Sequence, residues 1–188
     1  MKKNVLFFGL FLSIISLGIV SCDKVADLVA FDIEKSMPDQ HFDVDSSTTA
    51  AKGAEIKLYE SYFDINLDSI LDANGIDKGK ISNATFKQIS IAIENPTPEM
   101  ELGFVNSISI KLYDNKDYND GKTIATASGI KTGDQSVIFN VNNESLDPYF
   151  ENSKFYYRIY GVLEYPISVN KMPLVFSSKT KFTIKPLK

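Results

Sequence analysis

The chain has 188 residues, 44% of them hydrophobic, with one cysteine, one histidine, no tryptophan and 24 acidic against 20 basic residues, a formal charge of −4. That balance speaks against an electrostatic hold on nucleic acid or anionic lipid, and a single cysteine rules out an intramolecular disulfide. Arg158 is the only arginine, so a guanidinium clamp on phosphate or carboxylate is disfavoured as well. The first element is Met1 to Cys22. Lys2 and Lys3 give it a positive start, and Val5 to Val20 form a sixteen-residue apolar run interrupted only by Gly9, Ser13, Ser16 and Gly18. A bilayer-spanning helix needs about 20 apolar residues, so this run has the length of a secretory signal.

Ile19-Val20-Ser21-Cys22 closes the run and resembles the lipobox of bacterial lipoproteins, in which the cysteine is acylated and becomes the first residue of the mature chain. The resemblance implies a signal peptide over residues 1–21 and a domain over residues 22–188 anchored through lipid on Cys22. It also implies three acyl chains. Two suffice for stable anchoring, so the domain is expected to be tethered to a membrane of the cell envelope, in the first place the outer membrane, with the periplasmic and surface leaflets both open. Removing 21 residues leaves 167, and 18 basic residues against 24 acids give the mature chain a charge of about −6. A chain of that length forms one domain that buries about 70% of its unfolded surface.

Beyond the anchor the dominant pattern is period-2 alternation, the signature of half-buried strands. Val29, Phe31 and Ile33 predict a first strand. Pro38 interrupts it, and Phe42 and Val44 resume the alternation in a strand expected to change partner or sheet at the proline. Ser46 to Gly53 is small and polar and reads as a loop. Ile56 and Leu58, then Phe63, Ile65 and Leu67, form two runs whose phase slips around Glu60 to Tyr62, as a bulge produces. Asp68 as cap, Ile70 and Leu71 as apolar side, and Asn74-Gly75 as stop predict a helix of two turns at most.

Ile89, Ile91 and Ile93 alternate with Ser90, Ala92 and Glu94. Phe104, Ile108, Ile110 and Leu112 share a face with Asn106 as its polar exception, and Pro96 and Pro98 separate the two strands. Ile124 to Ile130 is a weaker strand, Val137, Phe139 and Val141 a stronger one, and Ser145 to Phe150 a short helical turn. Phe155, Tyr157, Ile159 and Leu163 alternate next, and Leu174, Phe176, Phe182 and Ile184 close the series. Eight or nine short strands with one or two very short helices predict an all-β, antiparallel β-sandwich, with a closed barrel as the alternative. Through Leu67-Asp68-Ser69-Ile70-Leu71, Ile93-Glu94-Asn95-Pro96 and Leu146-Asp147-Pro148-Tyr149, the chain resembles a group of bacterial lipoproteins with immunoglobulin-like sandwiches. It is more faintly similar to the water-stress domain of late-embryogenesis proteins. Neither resemblance brings a catalytic site.

Candidate chemistry is sparse. His41, the only histidine, stands beside an alternating strand with no Gly-x-Ser-x-Gly elbow anywhere, and is expected to be a surface residue and not a catalytic base. One histidine and one acylated cysteine do not make a zinc site. Asp114, Asp117, Asn119 and Asp120 precede Gly121 in an acidic loop, over residues 114–121, that is either a tight turn or a calcium loop; Lys116 and Tyr118 occupy positions where ligand oxygens belong. Glycosidases need only two carboxylates, but no pair stands out. No catalytic residue, metal or cofactor is therefore expected. The leading expectation is a non-catalytic envelope protein acting in binding, adhesion or assembly with an envelope protein or glycan, and the alternative is a carbohydrate-active enzyme or carbohydrate-binding accessory. If Phe155, Tyr157 and Ile159 face the core, then Tyr156, Arg158, Tyr160 and Val162 share the other face, and Tyr156, Arg158 and Tyr160 are the expected partner-binding residues.

Overall fold

A computed structural model describes residues 30–47, 50–64, 66–76, 79–150 and 154–186. Cys22 and the signal segment lie outside the described residues. Strand β1 (Phe31–Ser36) and strand β2 (Gln40–Asp45) lie end to end along one flank of β10 (Lys171–Pro186), whose other flank pairs with β4 (Gly79–Ile93); β7 (Ser136–Ile138) completes this first sheet beyond β4. The second sheet runs β3 (Glu55–Asp64), β9 (Lys154–Leu163), β5 (Val105–Tyr113), β6 (Lys122–Ser128) and β8 (Asn140–Val141). All pairs are antiparallel.

The expected antiparallel sandwich is the fold of the chain, with ten strands among the described residues against the eight or nine expected. The run at Val137–Val141 is the reason for one of them. Its first half pairs with β4 and its second with β6, so the chain crosses between sheets at buried Phe139. Pairing is nested: β5 with β6 innermost, then β4 with β7, β3 with β9, and β1 and β2 with β10 outermost. A single long hairpin rolled up in this way is a jelly roll. The immunoglobulin likeness thus extends to the two-sheet antiparallel layout and not to the order of the strands.

Inward residues of both sheets supply the core. Ile89, Ile91, Phe176, Phe182 and Ile184 come from the first, and Ile108, Ile110, Leu112, Phe155, Tyr157 and Ile159 from the second. Aromatic rings join the layers, with Tyr157 stacked 4.7 Å from Phe63 and 5.4 Å from Phe176, centroid to centroid. Burial drives the Tyr157 hydroxyl above the ordinary tyrosine range.

Three local expectations change. Pro38 does not redirect the chain, because β1 and β2 share β10 as partner and the Met37 amide bonds Ser178 O at 2.9 Å across the break. The phase slip in β3 falls earlier than expected, between Lys57 and Tyr59, and leaves one continuous strand. Helix α1 (Leu67–Asp72) is capped by Asn66, whose side chain accepts from the Ser69 amide at 2.8 Å, and not by Asp68. Gly75, at φ +69°, ends the turn in the left-handed conformation as expected. Asn106 is an exception on its face because β5 bulges there against β9. The Leu146-Asp147-Pro148-Tyr149 motif has a packing role. Leu146 and Tyr149 are buried, and the Asp147 carboxylate that opens helix α2 (Asp147–Phe150) accepts from the Asn83 and Ala84 amides at 3.0 and 2.8 Å.

Candidate binding face

Strand β9 is the one long strand of the second sheet whose own alternation is unbroken, and it sets the geometry of the outer face. Phe155, Tyr157, Ile159 and Leu163 are buried, while Tyr156, Arg158, Tyr160 and Val162 are half-buried on the opposite side. Cross-strand pairing extends each into a row. Tyr156 lies between Tyr62 of β3 and Tyr113 of β5, Arg158 between Glu60 and Lys111, and Tyr160 between Lys57 and Ser109.

Arg158 is at the centre. Its Nε donates to Glu60 Oε2 at 2.9 Å, and its guanidinium lies 3.8 Å from the Tyr118 ring centroid. Tyr118 comes from the β5–β6 connection and packs edge-on against both Tyr113, at 5.2 Å, and Tyr156, at 5.9 Å. Tyr62 and Tyr156 follow at 6.1 Å. On the other side Tyr113 and Tyr160 share a hydroxyl contact of 3.1 Å, and Lys111 Nζ lies 4.6 Å from the centre of the Tyr160 ring. The alternation predicted where Tyr156, Arg158 and Tyr160 sit. It did not predict Tyr62, Tyr113 or Tyr118.

The electrostatics are those of paired charges. Hydrogen bonds from Lys57 and then Arg158 hold the Glu60 carboxyl below its ordinary range. Lys57 lies 3.0 Å from Glu60, Lys111 3.6 Å from Glu55 and Lys154 3.5 Å from Asp64. Burial raises Tyr113, reinforced by the Tyr160 hydroxyl, and burial also raises Tyr118. Every described carboxylate with a displaced pKa is displaced downward: Asp32 by Lys181, Glu34 by Lys179, Asp45 by Ser47, Glu60 by Lys57 and Glu99 by Thr97. None of these has the raised pKa that a general acid needs.

The acidic loop is a turn laid against this face. Asn115 accepts from the Asp117 amide through its side chain at 3.0 Å and from the Tyr118 amide through its carbonyl at 3.3 Å. Tyr118 and Asp120 both have φ of +54°. Gly121 lies so close to the Tyr113 ring that a β-carbon would overlap it. Among the described residues no group of three or more His, Cys, Asp or Glu side chains is placed to hold a metal ion. His41 is exposed, with Nδ1 3.1 Å from Glu94 Oε2.

Beside Tyr62, where the edges of β2 and β3 approach, a groove of about 280 Å³ is lined by Pro38, Gln40, Ser61, Tyr62, Phe63 and Asp64. A second depression of about 180 Å³ on the first sheet is lined by Ser36, Gln88, Ser90 and Ser177 among others and contains no aromatic ring.

No protein-family profile matches the sequence, and no curated protein sequence matches it. Among solved structures the chain is similar to T=1 particles derived from infectious bursal virus, at 12% identity and a TM-score of 0.39 over 85% of this chain and 34% of that one. It is similar to infectious bursal disease virus of the Gx strain at 12% identity and a TM-score of 0.38, over 83% and 32% of the two chains. A carbohydrate-binding module of the β-sandwich superfamily is similar at 10% identity and a TM-score of 0.27, over 84% and 57%. The chain thus spans about a third of the length of these viral chains.

Proposed function

We propose that this chain is a non-catalytic, lipid-anchored protein of the cell envelope that binds a partner through the outer face of its second sheet. The anchor reading rests on Cys22 at the end of an apolar run of signal length, and within the envelope the outer membrane is our first choice, with the leaflet open. The binding reading rests on one observation: Tyr62, Tyr156, Tyr118, Tyr160 and the only arginine of the chain gather on the solvent side of a sheet whose hydrophobic core lies on the other side. Tyrosine and arginine offer large contact area and are the side chains enriched at binding hot spots. Downward-shifted carboxylates favour binding over acid catalysis.

Two measurements test the two parts. Cys22→Ser is expected to be exported and cleaved but to move from the detergent phase to the aqueous phase; continued membrane partition of the cleaved variant refutes the anchor. For the face, the tethered protein is purified from its own cells with its partners. Tyr156→Ala with Tyr160→Ala is expected to lose what the parent captures while melting within a few degrees of it. Unchanged capture rejects this surface.

A further inference from the structure

We propose that the corner formed by Tyr62 and the groove between β2 and β3 is a subsite for a neutral polysaccharide, with one sugar ring stacked on Tyr62 and the next units running over Tyr156. The inference rests on the reading of this face as the binding surface and names its ligand class. Tyr62 is 48% exposed, and among the described residues only Ile138 is another large hydrophobic side chain left so open. An aromatic face carries partial negative charge, which attracts the weakly positive C–H edges on the flat side of a pyranose. The groove beside the ring supplies complementary hydrogen bonding. Gln40 offers an amide that both donates and accepts, Ser61 a hydroxyl and Asp64 a carboxylate.

Charge selects among ligand classes. Lys154 faces Asp64, Arg158 and Lys57 face Glu60, and Lys111 faces Glu55. The face carries little net field, and a charged ligand would have to compete with one member of an existing pair. A sugar hydroxyl both donates and accepts, so it adds to such a pair without breaking it. Lys154 already hovers 5.1 Å from the centre of the Tyr62 ring, within reach of a hydroxyl on a stacked unit. Shape argues for a polymer. At about 280 Å³ the groove falls just short of the roughly 300 Å³ that encloses a small molecule. It is sized for one unit of a longer chain, and the Tyr62–Tyr156 row continues out of it.

The test is affinity electrophoresis of the full, detergent-solubilised chain in native gels containing soluble starch, mixed-linkage β-glucan, xylan or galactomannan, with alginate and heparin as acidic controls. Retardation by at least one neutral polysaccharide and by neither acidic one is expected. Tyr62→Ala should weaken it at least ten-fold, Gln40→Ala several-fold, and Tyr62→Phe should retain it, with the melting transition of each variant close to that of the parent. Absence of retardation by all four neutral polymers, retardation by the acidic polymers alone, or retardation indifferent to Tyr62 overturns the subsite. If it is overturned while Tyr156→Ala with Tyr160→Ala still abolishes partner capture, the binding face stands and only its ligand class falls. If Tyr62-dependent retardation appears while capture is unchanged in that double variant, the subsite stands and the wider face falls.

Discussion

Replacing Arg158 with alanine measures what the outer face does for stability. The side chain makes a 2.9 Å hydrogen-bonded ion pair with Glu60 and a 3.8 Å stack on Tyr118, and it is 26% exposed. A pair of this kind contributes about 0.2–1 kcal/mol. The stack adds about 0.5–1 kcal/mol. Glu60 is not stranded by the change, since Lys57 remains 3.0 Å away. The expected loss is therefore about 1–2 kcal/mol. In a domain of this size each kcal/mol moves the melting temperature by about 2–4 °C, so a decrease of about 2–8 °C is expected by calorimetry, with the slope of urea unfolding unchanged. Arg158→Lys restores the charge but not the planar stack and should recover less than half of the loss. A loss above about 3 kcal/mol, or full recovery by lysine, would refute this account, because the face would then be holding the sheet together or acting through charge alone.

Gly161 faces the core, where an added β-carbon would lie 2.7 Å from Val105 Cγ1 and 3.0 Å from Leu58 Cδ1. Gly161→Ala should cost about 1–3 kcal/mol in urea unfolding, and combining it with Val105→Ala should cost clearly less than the sum of the two, additivity being the refuting result. Ile91→Asp places a carboxylate at a fully buried position and should cost about 4 kcal/mol or more, whereas Ala92→Asp on the outer side should be mild; equal damage would mean that both sides of β4 are closed to water. Asp32 and Glu34 are held below their ordinary values of 3.8 and 4.5 by Lys181 and Lys179. Lowered carboxylates stabilise the fold fully above those ordinary values, and the contribution is lost as pH falls through the depressed native ones. Urea midpoints should hold from pH 7 to about 5 and fall below about 4, and less steeply in Lys179→Gln with Lys181→Gln; an equally steep fall in that variant would reject the pairing as the cause.

What could be read from the sequence followed the reach of local periodicity. β9 has an uninterrupted period of two, so its sequence alone places Tyr156, Arg158 and Tyr160 on one face. Tyr62 is not placed in this way, because the extra residue near Leu58 shifts the phase of β3 and conceals which side follows it. Tyr118 lies in a turn, where no period applies, and only the return of that turn onto Tyr113 brings it over Arg158. The nested strand order was illegible for a related reason. Phe31 pairs with Ile184 and Glu55 with Val162, and nothing within either segment specifies so distant a partner. Phe139 shows the same limit on a small scale, since an alternating run gives no sign that its two halves serve different sheets.

The place of β10 bears on when the fold can come into being. It is the last described strand to be synthesised, yet it is the partner of β1, of β2 and of most of β4. A nascent chain that has emerged only as far as Asn170 therefore has the strands of the second sheet but no middle for the first, and three of its elements wait beside an empty position. Closing contacts this far apart in sequence is slow. The interval in which the chain is long but unfolded is thus written into its topology.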